Sequence, residues 1–139
     1  MKISVIGLGK AGLPLAAVIA DAGLDVIGVD VDKKKVDSIN KGINPIDGEP
    51  GLGSLIKKYG GKSIKATNDG IKAAKESSVH IIIVPLFIDK NKKPDFSLIK
   101  KALEDLSEGI KKKDIVVLET TVPVKTTETL VRNILEKSS

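Results

Sequence analysis

Cysteine is absent from all 139 residues, so no disulfide, thiolate metal site or cysteine nucleophile can come from them. Tryptophan is absent as well, and Tyr59, Phe87 and Phe96 are the only aromatic residues, which leaves little to stack on unpaired bases. Arg132 is the sole arginine, so the net charge of +5 rests on lysines that are scattered apart from Lys33–Lys35 and Lys111–Lys113. Both triplets fall where helix surfaces or strand approaches are solvated, and no nucleic-acid partner is expected. Long hydrophobic runs are missing too: Leu13–Ala20 and Ile81–Ile88 are too short to span a bilayer. Gly7, Gly9, Lys10 and Gly12 interrupt the approach to the first run, and Asp21 and Asp25 follow it. It reads as strand, turn and helix, not as a signal peptide. A cytoplasmic protein with no membrane partner is the expectation.

What is present describes a globular domain. Hydrophobic residues make up 41% of the chain and charged residues 29%, enough to bury a core without disorder, and the length fits a single domain. Short apolar strands alternate with amphipathic segments, the pattern of an α/β fold with a doubly wound parallel sheet. Ile3–Ile6 reads as the first strand, Leu13–Ala22 as a buried helix and Val26–Val29 as a second strand. Asp32 is a candidate cap for a helix carrying Val36 and Ile39, with Gly42 as its stop. Residues 42–53 are rich in glycine, proline, asparagine and aspartate and read as a loop, followed by a short helix over Leu52–Lys58.

Ile64–Ala66 reads as a brief strand, and Asn68 as the cap of a helix with Ile71 and Ala74. Val79–Val84 has almost no polar face and is expected to be central in the sheet. After a loop over Pro85–Pro94, Asp95 is the expected cap of a helix in which Ile99, Ala102, Leu103, Leu106 and Ile110 recur at spacings of three and four, ending at Gly109. Ile115–Leu118 is the next strand. Leu130, Val131, Ile134 and Leu135 line one face of a last helix running to the C-terminus. His80, with no metal-ligating cluster near it in sequence, reads as a structural histidine, and no metal site is expected.

One motif carries chemistry. GLGKAG, residues Gly7, Leu8, Gly9, Lys10, Ala11 and Gly12, follows a strand and opens a helix, and Asp30 lies 18 residues after Gly12 at the end of the next strand. That context turns a weak pattern into a dinucleotide-binding fingerprint of the Rossmann NAD(P) fold. Gly7 allows the tight turn, Gly9 lets the backbone approach a pyrophosphate, and Gly12 lets helix and strand pack closely. The phosphates then meet unpaired N–H groups at a helix N-terminus. Asp30 is suited to accept ribose hydroxyls and to repel a 2′-phosphate, which favours NAD over NADP, although a lysine of the Lys33–Lys35 run could contact such a phosphate. The plain alternative is a glycine-rich turn with a surface aspartate.

Ligands of such sheets bind beyond the carboxyl ends of the strands. The segments there hold Val84, Pro85, Leu86 and Phe87, then Glu119, Thr120 and Thr121. The threonine hydroxyls are available for hydrogen bonds to cofactor or substrate, or else they turn the chain. Asp47 and Glu49 are either turn residues or substrate-facing.

Taken together, ISVIGLGKAGLPLA, VIGVDVDKKKVDSINKG, the EPGL segment, IIIVPLF, KPDFSLI and VVLETTVPVKTTE resemble the N-terminal domain of the UDP-glucose and GDP-mannose dehydrogenase family over nearly the whole chain. Within it, the IGLGxxGLP start and the INKG and EPGL spacing are most similar to members that oxidise UDP-N-acetylmannosamine in polysaccharide biosynthesis. The resemblance implies NAD contacts from Lys10 and Ala11, Asp30, Lys35, Leu86 and Thr121. It also implies a twofold oxidation of a sugar's primary alcohol, through an aldehyde and a cysteine thioester, with the Thr121 hydroxyl supporting the reacting carbon.

Lys10 and Leu86 depart from the family, which often has an aromatic residue and a threonine at those positions. The family's catalytic cysteine and lysine and its second nucleotide-binding domain lie beyond these residues. This chain alone is therefore expected to be inactive and to meet the UDP-sugar mainly through domains it lacks, within a homo-oligomeric full-length protein. Two rivals remain: a β-hydroxyacid-dehydrogenase type cofactor domain, and a non-catalytic NAD-sensing module.

Overall fold

The computed structural model describes residues 1–137. β1 (Lys2–Ile6) is the middle of five parallel strands, with β2 (Asp25–Val29) and β3 (Ile64–Thr67) on one side and β4 (Val79–Ile82) and β7 (Ile115–Leu118) on the other, in the order β3-β2-β1-β4-β7. Val5 aligns with Gly28 of β2 and with Ile81 of β4. The chain moves outward in one direction from β1 to β3 and then returns to β4 on the far side, so the connections diverge between β1 and β4. A crevice opens there at the carboxyl ends of the strands.

Strand alternation divides the core. Ile3 and Val5 face α1 (Gly12–Asp21), α2 (Lys33–Asn40) and α3 (Leu52–Tyr59), where Leu13, Ile39 and Ile56 are fully buried. Ile6 and Ile82 face α4 (Gly70–Glu76), α5 (Ser97–Gly109) and α6 (Arg132–Glu136), where Ile99, Leu103 and Leu106 are fully buried. Each helix thus presents one apolar stripe to the sheet, as its spacing predicts.

Several expected boundaries move. β4 is an interior strand as expected, between β1 and β7, but its ladder stops at Ile82. Ile83 still donates its N–H to Ile6 O at 2.9 Å before the chain leaves the sheet. The expected loop over Pro85–Pro94 contains a small antiparallel ribbon, β5 (Phe87–Ile88) with β6 (Pro94–Asp95). Its turn is organised by Asp89, whose carboxylate accepts the N–H groups of Asn91 and Lys93. The cap of α4 is Asp69, not Asn68, because its carboxylate is the group that reaches Lys72 N–H, at 2.9 Å. Asp32 caps α2 as expected.

Asp95 accepts Ser97 N–H and Oγ–H, but Phe96 is the boundary residue of α5. The last helix opens with a π-helical turn over Thr127–Val131 before α6. Its expected continuation to the C-terminus falls, at Ser138 and Ser139, outside the described residues.

The outer edge of β3 is closed from within the chain. Asn40 donates its carboxamide N–H to Ala66 O at 2.9 Å and accepts Ala66 N–H at 2.8 Å, standing in for a neighbouring strand. Among the described residues no helix is long and apolar enough to cross a membrane.

Candidate cofactor site

The glycine loop joins β1 to α1 across the crevice. Gly7 sits at φ +105°, and a Cβ there would come within 2.8 Å of Ile83 O. A Cβ at Gly12 would lie 1.7 Å from Gly7 O, so only glycine lets α1 start this close to the strand. Gly9 is the opposite case. Nothing lies within 4 Å of a Cβ built there, and that open space above the backbone is what a pyrophosphate would fill. Ala11, at the start of α1, supplies no capping side chain, and the first backbone bond runs from Leu13 N–H to Gly9 O at 3.1 Å. The first N–H groups of the helix are thereby left to a ligand, with the helix dipole favouring an anion.

Asp30 closes the other side of the loop. Leu8 N–H donates to its Oδ2 at 3.0 Å, Asp32 N–H donates to its Oδ1 at 2.9 Å, and Lys35 Nζ stands 3.5 Å from Oδ2. Two backbone donors fix the plane of the carboxylate, and each oxygen keeps acceptor capacity for a vicinal diol. This is the donor and acceptor set an adenosine ribose needs. The arrangement fits a dinucleotide.

A cavity of about 530 Å³ runs from the loop past Asp30. The expected residues Gly7, Leu8, Gly9, Lys10, Ala11, Gly12, Asp30, Lys35, Val84 and Pro85 all line it. Leu86, Thr120 and Thr121 do not. Leu86 is half-buried against the second core, where its side chain packs. Thr120 donates its hydroxyl to Val84 O at 2.6 Å, tying the exits of β7 and β4 together. Thr121 is exposed just beyond.

The cavity also has walls that the sequence reading passed over: Val31, Asn68, and Leu98, Lys101 and Asp105 of α5. Leu98, Lys101, Ala102 and Asp105 follow the i, i+3, i+4, i+7 spacing of one helix face. That stripe was available as a signal, but its lysine and aspartate make it look like solvated surface. A second cavity, of about 490 Å³, lies along the β2–β3 flank beside Lys2, Asp25, Lys65 and Glu76. Neither the glycine loop nor the exits of β4 and β7 reach it.

His80 sits in a constellation that imitates a catalytic triad. Its Nδ1 is 2.8 Å from Ser4 Oγ and its Nε2 is 3.2 Å from Asp114 Oδ2. A carboxylate only accepts, so Nε2 carries the proton and Nδ1 accepts the serine hydroxyl. Ser4 and His80 are fully buried and line neither cavity, so no substrate reaches the hydroxyl. The group is structural, as expected. Burial pushes the imidazole below its usual 6.5, against the opposing pull of Asp114. Burial also pushes the Asp114 carboxyl up, but the Lys111 N–H, the His80 hydrogen bond and the Lys111 charge together hold it below the ordinary carboxylate value. Lys111 Nζ in turn donates to Ala74 O, Lys75 O and Ser77 O at the end of α4. Among the described residues no group of three or more His, Cys, Asp or Glu side chains could hold a metal ion.

Known proteins resemble this chain in sequence and in fold. The UDP-N-acetyl-D-mannosamine dehydrogenase of Methanococcus maripaludis is 38% identical over 98% of this chain and 32% of its own length. The Campylobacter jejuni enzyme of the same name is 40% identical over 99% of the chain and 33% of its own length. A crystal structure of a ternary complex of GDP-mannose dehydrogenase from Pseudomonas aeruginosa superposes with a TM-score of 0.90 at 34% identity, over all of this chain and 33% of that one. The chain therefore spans about a third of the length of the relatives it matches. Residues 1–139 match the family described as UDP-glucose/GDP-mannose dehydrogenase family, NAD binding domain, and the chain belongs to that family.

Proposed function

We propose that this chain is the cofactor-binding part of an NAD-dependent dehydrogenase that oxidises the primary alcohol of a UDP-sugar to the uronic acid, with UDP-N-acetylmannosamine as the substrate. The supporting observation is Asp30: a carboxylate pinned by two backbone N–H groups beside an open glycine loop. Its acceptors match ribose hydroxyls, and its charge opposes a 2′-phosphate. Relatives bearing the name of the mannosamine enzyme support the choice of sugar.

In this reading the loop N–H groups and Lys10 hold the pyrophosphate, Asp30 and Lys35 hold the adenosine ribose, and Val84 and Pro85 line the path toward the nicotinamide. Bound NAD supplies the hydride acceptor. Thr121 lies exposed at the exit of β7, and its hydroxyl would hydrogen-bond polar groups near the reacting carbon. No cysteine occurs among the 139 residues, so the thiol of a thioester intermediate belongs to another part of the enzyme. That enzyme would be a cytoplasmic homo-oligomer that contacts the sugar nucleotide mainly outside this domain.

Calorimetric titration of the chain with NAD and NADP, repeated on Asp30→Ala, tests the reading. NAD should bind more tightly than NADP, and the substitution should weaken NAD by about tenfold or more, the loss expected for hydrogen bonds to a charged acceptor. Equal affinity for the two nucleotides, or an unchanged NAD affinity in the variant, would refute it.

A further inference from the structure

The cofactor cavity does not end at Asp30. Past it the walls change character: Val31, Leu98 and Ala102 are apolar, and Asn68, Lys101 and Asp105 are polar. If the ribose is held at Asp30 and the pyrophosphate at the glycine loop, the nicotinamide half runs toward Val84 and Pro85. The base of the adenosine half is then left with the compartment between Val31 and α5. Val31 is 85% exposed, an apolar side chain with almost nothing covering it, and it faces the same space as half-buried Leu98. A flat heterocycle between them would cover both.

Asp105 lines this compartment beside the start of α4, where a Cβ at Gly70 would come within 3.0 Å of its Oδ2. Its Oδ1 is engaged by the Lys101 ammonium one helical turn earlier. Its Oδ2 has no hydrogen-bond donor among the described residues. The side chain is 23% exposed, open to the cavity yet held in place by its lysine. An anchored carboxylate with one free acceptor, at the edge of an apolar slot, favours a ring that presents an amine to that oxygen and opposes one that presents a carbonyl there.

We propose that Asp105 reads the purine of the dinucleotide, accepting the 6-amino group of adenine and disfavouring a 6-oxo purine, whose carbonyl would face Oδ2 with its N1–H to one side. The inference rests on the dinucleotide reading above and adds a specificity residue that the fingerprint motif does not contain. Lys101 acts through Asp105 as a positioning residue. An asparagine at 105 removes the discrimination for a stated reason: its carboxamide can turn its oxygen toward an amine or its NH₂ toward a carbonyl.

The test compares NAD with nicotinamide hypoxanthine dinucleotide, which carries a 6-oxo group in place of the amine, by calorimetry on the chain and on Asp105→Asn. The wild type should prefer NAD by about tenfold, as expected for one hydrogen bond to a charged acceptor. In Asp105→Asn the two affinities should converge to within about threefold, mainly because the hypoxanthine form binds better. Lys101→Ala, which keeps the carboxylate but removes its anchor, should weaken the preference for NAD without abolishing it, and through a lower NAD affinity, whereas Asp105→Asn narrows it mainly by raising that of the hypoxanthine form. Equal binding of both nucleotides by the wild type, or an undiminished preference in Asp105→Asn, overturns the assignment alone. Loss of the preference in Lys101→Ala but not in Asp105→Asn overturns it in favour of the lysine. Failure of the wild type to bind either nucleotide overturns the dinucleotide reading and this inference with it.

Discussion

Asp30 and Asp114 are carboxylates at opposite ends of the same sheet, and they are used in opposite ways. Asp30 follows β2 at the carboxyl end, is held by Leu8 and Asp32 N–H groups, and opens onto a cavity. Asp114 precedes β7 at the amino end, where it accepts from His80 Nε2–H and Lys111 N–H and opens onto neither cavity. Both are ordered by hydrogen bonds. The difference lies in unspent capacity: one carboxylate has acceptors pointing into empty space, and the other has its partners supplied by the protein. A Ser–His–Asp array with no access is packing, whereas an aspartate with spare acceptors beside an open glycine loop is a candidate site.

The comparison is broken most severely where the two ends share a scaffold. Gly12→Ala forces a Cβ against the Gly7 carbonyl, with the Ile83 side chain 2.9 Å away, so a loss of about 4 kcal/mol is expected by chemical denaturation, together with NAD binding. Next, His80→Ala strands Ser4 and a buried carboxylate and should cost about 3 kcal/mol, while leaving the NAD affinity of the folded protein within about twofold. A large loss of affinity there would mean that the amino end belongs to the site after all.

The same histidine sets a pH dependence. Its pKa is lowered in the folded state, so the unfolded chain takes up the proton first, near 6.5. The His80 contribution is therefore complete above that pH and is lost as pH falls toward the folded value. Denaturation midpoints at pH 7.5 and 5.5 should differ less in His80→Gln than in the wild type. The smallest effect concerns the β3 edge. Asn40→Ala removes the carboxamide that pairs with Ala66 and should cost about 1 kcal/mol, with no change at the cofactor end.

Much of this was legible in the sequence, for reasons that differ by element. Ile82 declares its burial by the unbroken apolar run around it, and the stripe from Ile99 to Leu106 by its spacing. The cofactor loop was legible because glycine spacing, strand, helix and Asp30 agree with one another. The β5–β6 ribbon was not, since two-residue strands carry no alternation and its pairing depends on the Asp89 turn. Ser4 and His80 lie 76 residues apart, and only the register of β1 with β4 brings them together. Asp105 stayed hidden because a polar residue on an amphipathic helix looks solvated until the fold puts a cavity beside it. Thr121 was singled out by its place after β7 and by the resemblance to the family, and it lies exposed outside the cavity.

The most direct test of the central claim is amide chemical-shift mapping of the chain titrated with NAD. Saturable shifts are expected at Leu8, Gly9, Lys10, Ala11, Asp30 and Val84, with His80 and Asp114 unmoved. Shifts along the β2–β3 flank at Lys65 instead, or none anywhere at saturating nucleotide, would contradict it.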